Sequence, residues 1–220
     1  MSLSENMFPS QNATLDEQQQ ADREVEHPKL SWAAWGRFVV TLYYNKVAVN
    51  IFGSITGWSW YNRIDSRLIL GALPDSLQIR LMHQSLSVNT VVNMCAEFEG
   101  FPSLYRELGI TQVWLPTLDF TVPVQKDIVH GVDAILAEEG GKTVYLHCKG
   151  GKGRSGTVAL CYLVHVYDLD PKRAQAILLQ CRPQIDKAIY AYAEVQEYYV
   201  GVMEKVAGNS LLRKSWEHRV

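Results

Sequence analysis

The sequence predicts an α/β fold with a mostly parallel central sheet flanked by helices, preceded by an N-terminal helical extension. Three observations carry this. From residue 64 onward, short apolar runs alternate with longer helical ones, the order that builds parallel sheets. The runs 88–94 and 143–147 are apolar at both odd and even positions, as strands covered on two faces are. Glycine and proline mark several of the boundaries between runs.

Taken in order, residues 1–30 are polar and acidic, with Glu5, Asp16, Glu17, Asp22, Glu24 and Glu26, and are expected to be disordered. Residues 31–60 form an aromatic, acid-free extension. Trp32, Trp35, Phe38, Val39, Leu42 and Tyr43 fall near helical spacing, which predicts a helix over 32–52. Such a helix either packs on the domain or lies at an anionic membrane surface, with Trp58, Trp60 and Tyr61 near the headgroups. It does not span a membrane, because Asn45, Lys46, Asn50 and two glycines interrupt the apolar run.

The folded domain is expected over 61–208, with a tail at 209–220. Its elements read as a strand at 68–73, a helix at 77–86 and a strand at 88–94. A short helix at 103–108 is ended by Gly109, and a strand follows at 111–115. A helix over 124–139 has Pro123 at its start and Gly140-Gly141 at its end. The strand 143–147 leads to a helix at 155–167, followed by helices at 171–180 and 188–206. No internal repeat is visible.

The composition is 47% hydrophobic and 20% charged with a net charge of −2, as in soluble globular domains. That balance gives no basic signal for nucleic acid. The cysteines Cys95, Cys148, Cys161 and Cys181 show no CxxC pair, so neither a zinc site nor a disulfide framework is expected. Cys95, Cys161 and Cys181 sit in apolar runs as packing residues. No secretory signal pattern is present, and a reducing, intracellular compartment is expected.

The decisive segment runs from Val144 through Leu146, His147, Cys148, Lys149, Gly150, Gly151, Lys152, Gly153, Arg154 and Ser155 to Thr157. It is a strand, a glycine-rich loop and a helix. Gly150, Gly151 and Gly153 permit successive N–H groups to converge into an anion nest. The helix N-terminus adds free N–H groups and a positive dipole end. A cysteine at such a site is expected to ionise readily, making Cys148 the nucleophile. Arg154 is suited to grip two phosphate oxygens. Lys149 and Lys152 add charge at the loop's mouth and bear on phosphate binding and substrate choice. Ser155 is placed to donate to the sulfur, and His147 to order the loop. An incidental cysteine in a glycine-rich turn would not bring nest, arginine and helix together. A nucleotide-binding loop of the Walker type is excluded, because Gly153 follows Lys152.

A leaving alcohol needs a proton donor. Asp119, in the loop after the strand at 111–115, is the candidate, with Asp127 as its rival inside the next helix. The expected chemistry is hydrolysis of a phosphate monoester through a phosphocysteine, with no metal and no cofactor.

The Cys-x5-Arg-Ser loop with its preceding histidine resembles the signature of the cysteine-based protein-tyrosine phosphatase superfamily. A wider stretch is similar to the mitochondrial dual-specificity phosphatases that act on phosphatidylglycerophosphate. It comprises Tyr61-Asn62-Arg63-Ile64-Asp65, Leu70-Gly71-Ala72-Leu73-Pro74, Val91-Val92-Asn93-Met94, Leu115-Pro116-Thr117-Leu118-Asp119 and Arg182-Pro183. That family carries Glu-Glu-Tyr-Glu where this chain has Ala96-Glu97-Phe98-Glu99, which puts Glu97 among the specificity residues. The resemblance implies a dual-specificity phosphatase-like fold and an anionic phospholipid substrate at a membrane surface. It also implies a peripheral place at the mitochondrial inner membrane. A phosphoinositide phosphatase and a dual-specificity phosphatase acting on phosphoproteins are the alternatives, with a non-catalytic phospho-binding module as the third.

Overall fold

The computed structural model describes residues 32–208. The expectations for 1–30 and for the tail 209–220 lie outside the described residues. The elements in chain order are α1 (Trp32–Thr56), β1 (Tyr61–Arg63), β2 (Leu68–Gly71), α2 (Ser76–Leu86), β3 (Val88–Cys95), α3 (Pro102–Leu108) and β4 (Thr111–Thr117). They continue with α4 (Gln125–Leu136), β5 (Thr143–His147), α5 (Arg154–Tyr167), α6 (Pro171–Cys181), a 3-10 turn (Ile189–Ala191) and α7 (Ala193–Gly208).

The strands form one five-stranded sheet in the order β1-β2-β5-β3-β4 among the described residues. Only the β1–β2 pair is antiparallel. Alternation along each strand assigns side chains to two cores. Leu68, Leu70, Val92, Met94, Val144 and Leu146 face the helices α4 to α7. Ile69, Val91 and Tyr145 face α2 and α3 through Ile79, Met82, Leu104 and Tyr105. Burial on both faces explains why these strands read as continuous apolar runs. Helix α5 is buried from Arg154 to Val164, so it runs through the middle of the larger core.

Local signals set the ends of several helices. Asp75 and Gln78 form a reciprocal capping box at α2. Asp170 caps α6, with Pro171 in its first turn. Gly109 closes α3 in the left-handed conformation.

Several boundaries differ from expectation, the strand expected at 68–73 ending at Gly71 among them. The strand β1 was not expected; three residues are too few for a periodic signal, and pairing with β2 creates it. Strand β4 runs through Pro116 to Thr117, which an edge strand tolerates. Helix α4 stops at Leu136 rather than 139, and the Glu138 carboxylate instead accepts from the Thr90 hydroxyl at 2.9 Å. The expected helix over 188–206 is broken at Tyr192, which is extended and donates its hydroxyl to Asp186 at 2.8 Å.

Helix α1 extends four residues past its expected end. It touches the domain through Phe38, which is buried, and through Thr41. Residues 58–61 also meet the domain. The Trp58 ring lies 4.2 Å from the Lys152 ammonium, and Tyr61 stands edge-on to Tyr145. Among the described residues, no helix is long and apolar enough to cross a membrane.

Candidate active site

Strand β5 lies between β2 and β3, in register with Gly71 on one side and Asn93 on the other at His147. Cys148 therefore leaves the sheet at the carboxyl ends of its parallel strands, beside the point where strand order reverses, the usual place for a ligand in such sheets.

The loop that follows is shaped at one glycine more than at the others. Gly151 has φ +63, and a Cβ there would collide with the Gly71 carbonyl and crowd the Arg182 guanidinium. Gly153 has φ −93 and open space around it, and Gly150 is not left-handed. The conformational requirement expected of three glycines thus rests on Gly151.

Arg182 ties the loop down from behind. Its side chain is fully buried and donates to the carbonyls of Gly151 (2.6 Å), Gly150 (3.1 Å) and Ser59 (3.2 Å), and to Asn62 Oδ1 (2.7 Å). Burial lowers its pKa to about 10, so it stays charged at neutral pH. With those carbonyls held outward, the loop N–H groups are free to face inward. In the sequence, Arg182 stands out only through the resemblance carried by Arg182-Pro183; nothing near it in the chain signals its partners.

Cys148 is buried, and burial by itself opposes ionisation. Arg154, the Ser155 hydroxyl at 3.2 Å and the N–H groups of Ser155 and Lys152 outweigh it, holding the thiol below its ordinary pKa. Burial raises the pKa of Cys95 and Cys161. All four cysteines, each among the described residues, are free thiols. His147 contacts the Cys148 carbonyl through Nδ1 at 3.3 Å and stacks on Tyr145. Burial lowers its pKa to about 3, so the imidazole is neutral.

Arg154 is divided between a fixed edge and a working edge. Nη1 donates to Glu97 Oε2 at 2.8 Å and to the Thr117 carbonyl at 2.7 Å, and Nη2 donates to Asp119 Oδ1 at 2.9 Å. The Glu97 and Arg154 side chains are both buried. Asn93 shapes the loop that carries Glu97, accepting from Cys95 N and donating to the Phe98 carbonyl. Glu97, expected as a specificity residue, pairs with Arg154 and is not among the residues that line the cleft.

Asp119 follows β4 in a turn closed by Thr121 on the Leu118 carbonyl. Its carboxylate pairs with both Arg154 and Lys149. Lys149 does not sit at an exposed lip. It is buried beneath α1, donates to Thr41 Oγ1 at 2.6 Å, and lies near the rings of Phe38 and Phe120. Lys152 is half-buried and remains by the catalytic loop. The rival Asp127 lies in the first turn of α4, outside the cleft lining. A cleft of about 450 Å³ joins Asp119, Phe120, Cys148, Lys152, Arg154 and Gln184. Among the described residues, no cluster of metal-ligating side chains is present.

Residues 65–201 match the family described as PTP-SAK, the Swiss Army Knife DSP-PTPase phosphatase domain. The chain is 32% identical over 155 residues to the human phosphatidylglycerophosphatase and protein-tyrosine phosphatase 1, covering 66% of this chain and 77% of that one. It is 31% identical over 166 residues to the Arabidopsis thaliana phosphatidylglycerophosphate phosphatase PTPMT1, covering 74% of this chain and 48% of that one. A crystal structure of PTPMT1 superposes with TM-score 0.62 at 30% identity, over 68% of this chain and all of that one. The family match spans the loop with Cys148, its two buried arginines and both carboxylates that meet Arg154, and on that evidence the chain belongs to the DSP-PTPase phosphatases and is an enzyme of that class.

Proposed function

We propose that the chain is a lipid phosphatase that hydrolyses the terminal phosphomonoester of phosphatidylglycerophosphate. The observation that carries the chemistry is the ionisable Cys148 thiol facing Arg154 and Asp119 in one cleft. The names of the similar human and plant enzymes support the choice of substrate.

The incoming phosphate takes the working edge of Arg154 in place of Asp119, whose carboxylate takes up a proton from solvent as it leaves its two cation partners. Cys148 Sγ attacks phosphorus in line with the leaving oxygen. As the S–P bond forms, the P–O bond breaks and Asp119 gives its proton to the departing alcohol. Water then attacks phosphorus and passes its proton to Asp119. The S–P bond breaks, and the Ser155 hydroxyl steadies the returning thiolate. Loop N–H groups and Arg154 hold the phosphoryl oxygens throughout, so the charge stabilisation is preorganised. Gly150, Gly151, Lys152 and Gly153 supply the cradle, and His147 holds its first turn.

A phosphoinositide is the second reading. It is supported by a solved complex of PTPMT1 with PI(5)P, 28% identical to this chain, and by Lys149 and Lys152 at the catalytic loop. The proposed setting is the periphery of the mitochondrial inner membrane, where a phosphatidylglycerophosphate phosphatase would serve cardiolipin synthesis.

The test is phosphate release from phosphatidylglycerophosphate, a phosphoinositide panel, and phosphotyrosine and phosphothreonine peptides, with Cys148→Ser as the blank. Preferred turnover of phosphatidylglycerophosphate is expected. Preferred turnover of a phosphopeptide would overturn the lipid reading, and release unaffected by Cys148→Ser would overturn the mechanism.

A further inference from the structure

A second cavity borders the catalytic cleft and has no part in the chemistry above. It measures about 410 Å³ and is walled by Gly36, Arg37, Val40 and Thr41 of α1 and by Phe120 of the acid loop. Its walls are carbon-rich. Phe120 also lines the catalytic cleft, so one aromatic ring is shared by the two spaces.

Phe120 is held in an unfavourable state. It is a non-glycine with φ 64, and the residue is 79% exposed. Left-handed backbone is disfavoured for a bulky residue, and exposure gains nothing from the core. Strain of this kind persists where the surroundings fix it, and it gathers at ligand clamps. Here the turn to Leu118 fixes the backbone, and the Lys149 ammonium lies 4.8 Å from the ring centroid.

The charge around the cavity has one sign on the α1 side. From His27 to Ile64 the sequence holds no Asp or Glu. Arg37 stands on the cavity wall, with Lys149 and Lys152 toward the catalytic end. An apolar trough with cationic margins, opening beside a phosphate nest, matches a molecule that carries hydrocarbon next to a phosphodiester.

We propose that the cavity between α1 and Phe120 receives acyl-chain carbons of the lipid substrate, with Arg37 facing its phosphodiester, while the terminal phosphate occupies the Cys148 nest. This rests on the phospholipid reading and adds to it a specificity determinant outside the catalytic loop. Val40 and Phe120 supply the apolar walls, and Gly36 keeps the floor open. Gly36 is among the residues that line the cavity, and a Cβ there would meet nothing within 4 Å, so a larger side chain is accommodated without a clash at its first carbon.

The experiment uses phosphatidylglycerophosphates with dibutyryl, dihexanoyl and dioctanoyl chains, kept monomeric so that no bilayer contributes. A soluble aryl phosphate is assayed on the same preparations as the reference. For wild type, kcat/KM is expected to climb with chain length, mainly through KM, by up to about fourfold per methylene taken from water. Val40→Asp and Gly36→Phe are expected to flatten the climb, lowering the dioctanoyl-to-aryl ratio by about tenfold or more, whereas Val40→Leu keeps it. Val40 is 69% exposed, so its replacement leaves the core untouched. A climb equally steep in Val40→Asp and Gly36→Phe overturns the cavity assignment while leaving the lipid reading standing. Wild-type turnover of the aryl phosphate with none of any lipid overturns both.

Discussion

Asp119 answers two cations at once in the ligand-free site, Arg154 on one oxygen and Lys149 on the other. This places the proposed proton donor in the cleft that holds Cys148 before substrate arrives. Asp119→Asn keeps the shape but cannot give up a proton. Turnover of an alkyl phosphate is expected to fall by about 100-fold or more, within the usual range for general acid catalysis, and that of an activated aryl phosphate by much less. Steady-state rates on the two substrates check this, and equal losses would remove Asp119 from the role. At this scale the sequence was informative wherever neighbours in the chain are neighbours in space. Cys148, Arg154 and Ser155 share one loop, and their meeting follows from a strand turning into a helix. Glu97, Thr41 and Arg182 were not legible as partners. Glu97 reaches Arg154 across 57 positions and Thr41 reaches Lys149 across 108, and no periodicity reports such contacts.

The loop between β5 and α5 keeps its form because Arg182, just past α6, binds it from outside. Arg182→Met would leave the carbonyls of Gly150, Gly151 and Ser59 and the Asn62 side chain without their buried donor. A loss of about 3 kcal/mol in urea unfolding is expected, since each buried group left unsatisfied costs about 1–3 kcal/mol and an apolar replacement recovers part of it. The alkylation profile of Cys148 is also expected to move to higher pH, because a loosened loop stabilises the thiolate less. A purely structural role for Arg182 would change stability and leave that profile in place. Elements with strong periodicity, among them β3, β5 and α5, lie within a residue of where the sequence put them. The three-residue β1 and the break at Tyr192 depend on partners elsewhere, β2 in one case and Asp186 in the other.

For the molecule as a whole, His147 links folding to acidity. Its folded pKa is about 3, against 6.5 ordinarily, because burial disfavours the imidazolium. Below pH 6.5 the unfolded chain binds a proton that the folded chain refuses. Stability from this group is therefore present above 6.5 and declines by up to about 1.4 kcal/mol per pH unit down to about pH 3. His147→Gln is expected to have a shallower acid-side slope than wild type in urea unfolding at pH 7, 5.5 and 4.5, and parallel slopes would contradict the assignment. The α/β architecture was readable because the strands are covered on both faces and the helices on one. The seat of α1 over Lys149 was not. Apolar residues lie all round that helix, so its sequence names no single face for docking.

The double pairing of Asp119 has a consequence for the end of each cycle. Arg154 and Lys149 face an anion in the resting site, and that anion is tethered to the chain. Once Asp119 has released to solvent the proton it took from water, inorganic phosphate leaving the nest is exchanged for a competitor whose local concentration is fixed by a short loop and does not depend on dilution. In the proposed cycle the site thus acts as an ion exchanger with one resident counterion, which helps to clear its product.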